Sequence, residues 1–149
     1  MSKNYYTQGQ SLDERGDFDN AIASYAKAIK LDPSYADAYV GRGRAYDGKG
    51  DYDQAIADYV RAIELNPRSA IVYYNRGRAY YAQGNHEEAM ADFTRAIELE
   101  PENADAYIGR GLAHDSKGAY DEAINDYGQA AKLNPKDAAA YVNRGVAWD

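Results

Sequence analysis

The 149-residue sequence has no cysteine. Disulfides and thiolate metal sites are therefore excluded, and a reducing compartment is permitted. Long apolar runs are missing too. No segment approaches the roughly 20 apolar residues that span a bilayer, and Met1 to Gln10 holds no run of signal-peptide length. No membrane association is expected, and the reading is a soluble, cytoplasmic protein. Positive charge is short as well: 17 Lys and Arg face 24 Asp and Glu, a net charge of −7. Phosphate backbones are held by Lys and Arg, so no nucleic-acid partner is expected for this surface. Phe and Trp are scarce, two and one, whereas Tyr reaches 16. So many tyrosines need edges where hydroxyls meet water or a partner, which an elongated protein offers more readily than a sphere. The balance of 45% hydrophobic and 28% charged residues is still that of a folded chain.

What is present is a period. The four prolines are Pro33, Pro67, Pro101 and Pro135, each 34 residues after the last. Gly9, Gly43, Gly77, Gly111 and Gly145 keep the same beat, as do Gly16, Gly50, Gly84 and Gly118. Tyr25, Tyr59, Phe93 and Tyr127 follow it, and so do Ala21, Ala55, Ala89 and Ala123. Such a period is the mark of a repeat architecture.

Each period reads as two helices. In the second, Tyr39, Gly43 and Tyr46 form a helical stripe over Ala36 to Lys49. Gly50 suits a left-handed C-cap. Asp51 and Gln54 read as a capping box, repeated by Asp17/Asn20 and Asn85/Glu88; Ala119 lacks it, so that helix should start less firmly. Ala55, Ile56, Tyr59, Ala62 and Ile63 give the packing stripe of the second helix, which Asn66-Pro67 ends. Gly43 and Ala55 stand where the two helices approach closely. The short turn makes the helices antiparallel.

The pattern Tyr39, Gly43, Tyr46, Gly50, Tyr52, Ala55, Tyr59, Ala62, Pro67 resembles the tetratricopeptide repeat. The likeness covers nearly the whole chain as one array: units 2–35, 36–69, 70–103 and 104–137, with a further first helix at 138–149 that is truncated or capping. It implies an all-α fold, an α-solenoid of antiparallel helix pairs forming a right-handed superhelix. The first helices would line a concave, peptide-binding groove. The family is one of scaffolds and adaptors, so the resemblance implies protein binding, no enzyme activity and no cofactor.

Two departures stand out. Alternate units match best, as in Asp37 to Gly43 against Asp105 to Gly111, which fits a two-unit duplication or drift. And arginine replaces the family's usual apolar residue at Arg42, Arg76, Arg110 and Arg144. Asp58, Asp92 and Asp126 stand at matching height on the second helices, while the first unit has Gln8 and Ser24. Ion pairs Arg42–Asp58, Arg76–Asp92 and Arg110–Asp126 are expected to fix how the helices meet.

The groove stripe includes the rung Gln10, Arg44, Arg78, Leu112 and Val146, with Asp13, Asp47, Tyr81, Asp115 and Asp149 at the rim. Arg44 and Arg78 are expected to receive an acidic group of a peptide. Asn75 could bond its backbone, Tyr74 and Tyr81 could anchor it, and Asn143 lies on the same groove stripe. Relatives that clamp the C-terminal carboxylate of heat-shock chaperones use Lys and Asn, then Asn, then Lys and Arg on three successive first helices. No frame of this sequence supplies that set, so chaperone-tail binding is not expected. His86 and His114 read as structural and not as a metal site. Beyond the fourth unit, Tyr141 and Trp148 lie on a helix whose partner is missing. Three explanations stay open: a piece of a longer array, a homo-oligomer closed by another copy on those residues, or an engineered array. A non-catalytic arm of a larger enzyme is the remaining alternative.

Overall fold

The computed structural model describes residues 1–136. Among them it has eight helices and no strand: α1 (Ser2–Glu14), α2 (Phe18–Leu31), α3 (Ala36–Lys49), α4 (Tyr52–Leu65), α5 (Ala70–Ala82), α6 (His86–Leu99), α7 (Ala104–Ser116) and α8 (Tyr120–Leu133). The chain gathers into two compact units, Met1–Asn75 and the residues from Arg76 on, divided inside α5. In the first, α1 packs on α2, α2 on α3 and α3 on α4; in the second, α6 packs on α7 and α7 on α8. No helix among the described residues is long and apolar enough to cross a membrane.

The glycine turns are formed as the sequence predicts. Gly16, Gly50, Gly84 and Gly118 all have positive φ, between 74° and 80°. In the second turn Gly50 N–H donates to the Asp47 carbonyl and Asp51 N–H to that of Tyr46, both at 2.9 Å. This is the Schellman arrangement, which satisfies carbonyls that the helix end leaves open. The even-numbered helices stop before proline with an extended residue; Asn66 has φ −141° and ψ 88°.

The capping boxes are not formed. Asp17, Asp51 and Asn85 accept no side-chain cap bond. Asn20 Nδ2 donates to Asp17 Oδ2 at 2.8 Å, and Asn85 Nδ2 donates to Gln83 Oε1. The reason is backbone geometry: ψ of 66° to 72° turns these side chains off the helix. Asn103, with ψ of 93°, does accept from Ala106 N–H at 3.1 Å. Ala119 adopts the same φ and ψ as Asp17, so α8 starts like its counterparts.

The core is built from small residues and rings. Tyr25 is a wedge between α1 and α3: a Cβ added at Gly9 would lie 2.7 Å from its ring, and one at Gly41 2.6 Å. Phe93 is held likewise between Gly77, at 3.0 Å, and Gly109, at 2.6 Å. Glycine inside a helix costs about 1 kcal/mol against alanine; here it lets a ring fill the seam. Tyr25, Tyr59 and Tyr127 are fully buried instead of lying at edges, and the Tyr127 hydroxyl finds no hydrogen-bond partner among the described residues.

All three expected ion pairs form, each two-pronged. Arg42 Nε and Nη2 donate to the two Asp58 oxygens at 2.8 and 2.7 Å. Arg76 does the same to Asp92, and Arg110 to Asp126. The aspartates are buried. The Asp58 hydrogen bond and charge raise the Arg42 pKa against the opposing effect of burial. Arg110 also reaches Thr94 Oγ1 of α6 at 3.2 Å. A second set of pairs joins successive repeats: Lys49 with Asp19, and Lys117 with Glu87.

Candidate functional site

In the first unit, α1 and α3 share a face with mixed chemistry. Tyr6 lies 5.8 Å from the Tyr25 ring and 5.1 Å from the Tyr35 ring, tilted to both. Gln10 Nε2 donates to the Tyr6 hydroxyl at 3.1 Å. One turn on, Asp13 Oδ2 lies 3.8 Å from Arg44 Nη2, too long for a hydrogen bond. The Arg44 side chain is 62% exposed and that of Asp13 only 11%. Burial raises the Asp13 pKa, Arg44 opposes this, and Glu14 adds to it. Burial also raises the Tyr6 hydroxyl, followed by the Asp37 charge and Tyr35, with Arg44 opposing. Tyr25 is pushed well above the usual tyrosine range, by burial first and then by Asp13. Tyr6 therefore feels Asp37 and Arg44, and Tyr25 feels Asp13, Tyr6 and Arg44.

The second unit carries its own version. Tyr81 of α5 and Ser116 of α7 share a hydrogen bond at 3.2 Å, and Ser116 Oγ donates to the Leu112 carbonyl at 2.9 Å. The His86 ring lies tilted against that of Tyr81, 5.2 Å between ring centres. Arg78 is exposed and Leu112 half-buried. Burial, then Asp115 and Tyr81, raise the Tyr127 hydroxyl.

Of the groove residues expected from sequence, Gln10 bonds Tyr6 and Arg44 lies beside Asp13 in the first unit, and in the second Tyr81 bonds Ser116, whose hydroxyl also donates to the Leu112 carbonyl. Tyr74 is half-buried. Asn75 is buried, 6% exposed, at the place in the repeat that Gly41 and Gly109 hold, so its carboxamide is far less open than a groove residue should be. Asn143, Tyr141 and Trp148 lie outside the described residues. Sequence reading passed over Tyr35, which stands just before α3; it breaks the run of polar residues there, Ser69 and Asn103, which was the available signal. His114 Nε2 lies 3.7 Å from Asp126. Among the described residues no cluster of His, Cys, Asp or Glu is arranged to hold a metal ion.

Comparison with known proteins adds to this geometry. A tetratricopeptide repeat profile matches residues 40–99, and a second TPR repeat profile matches 9–50 and 116–148. The chain is similar to the crystal structure of MamA, with 33% identity and a TM-score of 0.91 over 99% of this chain and 80% of MamA. YrrB, described as a TPR protein with an unusual peptide-binding site, shares 27% identity at a TM-score of 0.82 over 97% and 74% of the two chains. The first TPR of Spaghetti (RPAP3), bound to the HSP90 peptide SRMEEVD, shares 26% identity at a TM-score of 0.75 over 76% and 90%. No curated protein matches the sequence.

Proposed function

The chain belongs to the tetratricopeptide repeat family, and from that premise we propose that it is a non-catalytic, cytoplasmic scaffold that holds a peptide segment of another protein on the faces of its odd-numbered helices. The observation that carries the reading is Arg44. Its side chain stays largely exposed on the same face as Tyr6, Gln10 and Asp13, and its contact with Asp13 is too long to use up its donors. A carboxylate would gain charge-assisted hydrogen bonds there at little conformational cost. Tyr6 and Gln10 hold one another in place, which leaves the tyrosine O–H free to turn toward the same oxygen. In the second unit Arg78, Tyr81 and Leu112 supply a cation, an aromatic anchor and an apolar contact. The peptide bound to the first TPR of Spaghetti and the peptide-binding site described for YrrB support the class of ligand.

The test is a selection of linear peptides against the wild type and against an Arg44→Glu, Arg78→Glu double variant. Acidic peptides should emerge for the wild type and vanish for the variant. If neither protein selects any peptide, the scaffold reading fails.

A further inference from the structure

The face shared by α1 and α3 in the first unit holds more acid than base. Arg44 leans on Asp13, while Asp37 is exposed and has no basic group of the described residues within salt-bridge distance. Asp37 sits in the first turn of α3, where a carboxylate suits the helix dipole without any ligand. Its surroundings say more. The Tyr6 and Tyr35 rings lie 5.1 Å apart, and both hydroxyls feel the Asp37 charge. The Asp32 charge acts on Tyr35 as well, and its carboxylate accepts from the Ser34 N–H and hydroxyl. Half-buried tyrosine rings beside an exposed carboxylate such as Asp37 attract an ammonium or guanidinium. The second unit lacks this arrangement: Asp105 corresponds to Asp37, but Asn103 replaces Tyr35 and is engaged in capping α7.

We infer that the first unit selects peptides that carry a basic residue close to an acidic one, the base lying on Tyr35 and Tyr6 beside Asp37 and the acid on Arg44. This rests on the peptide-binding reading above. The spacing follows from the helix. Seven residues separate Asp37 from Arg44, about 10 Å along the α3 axis. An extended peptide covers that in about three residues. The ligand motif is therefore a Lys or Arg three residues from an Asp or Glu.

The experiment starts from a phage-displayed library of random dodecapeptides, followed by titration of the best synthetic peptide and of a copy with norleucine in place of its lysine. Enrichment of a base and an acid three residues apart is expected. Asp37→Asn should weaken the lysine peptide about fivefold, on the scale of an exposed cation–π contact plus an ion pair. It should leave the norleucine peptide unchanged, and Asp105→Asn should change neither. Asp37 is exposed, so the variant should fold; circular dichroism checks this. Acidic peptides without an enriched base, or equal binding to wild type and Asp37→Asn, overturn the inference and leave the scaffold reading standing. A library that yields no binder overturns both.

Discussion

The first helix pair and the second have nearly the same backbone and opposite chemistry at one contact. Between α3 and α4, Arg42 grips Asp58 in a two-pronged ion pair. Between α1 and α2 the same two places hold Gln8, exposed, and Ser24, buried. Both pairs put glycine against the ring of the even-numbered helix, Gly9 on Tyr25 and Gly43 on Tyr59. Packing of glycine on an aromatic ring is therefore enough to set the helices together, and the ion pair is an addition. What it adds is specificity and vulnerability. A buried pair contributes little net stability over a neutral contact, but losing one partner leaves an uncompensated charge.

That contrast can be broken directly. Asp126→Ala should cost about 3–5 kcal/mol, because Arg110 loses the partner of a pair whose carboxylate is 3% exposed. Ser24→Ala, at the equivalent place, should cost less than about 1 kcal/mol. Urea unfolding of both variants checks the difference, and equal losses would refute it. A steric change should come next. Gly41→Ala drives a Cβ into the Tyr25 ring and should cost about 1–3 kcal/mol by overpacking, read as a lower midpoint with an unchanged slope.

The contrast is sharpened by transplanting the pair. Gln8→Arg with Ser24→Asp should show a favourable coupling of about 1.5–3 kcal/mol in a double-mutant cycle, the worth of hydrogen bonds to charged groups. Ser24→Asp alone should be the worst of the three variants, since it buries an unpaired carboxylate. The smallest effect concerns pH. Burial raises the Asp13 pKa in the folded state, so the stability tied to its proton is present below the unfolded value of about 3.9 and lost as pH rises through the folded one. Asp13→Asn should thus be relatively more stable at pH 7 than at pH 3, by less than about 0.5 kcal/mol after solvent screening and the loss of the Arg44 contact. A pH-independent difference would refute this.

Much of the fold was legible because repetition multiplies weak signals. A single glycine says little; Gly16, Gly50, Gly84 and Gly118 in phase say turn, and all four have the left-handed φ. The ion pairs were legible for a related reason: in the first unit the arginine and the aspartate are missing together. Capping was misread because sequence shows which residue can cap but not its ψ. Asn75 is buried although its stripe reads as facing the groove, because adjacent helix positions differ by about 100° and a stripe read from spacing does not separate them. The Tyr35–Tyr6 contact joins the two ends of one repeat, and the stripes within a single helix do not encode it.

The ion pairs have a kinetic side. Each joins residues 16 apart in the chain, and even the Tyr81–Ser116 bond spans only 35. Closing such short loops costs little entropy and needs no distant strand to arrive first. A nascent chain can thus complete its first helix pairs, and bury the rings between them, while the later repeats are still being made.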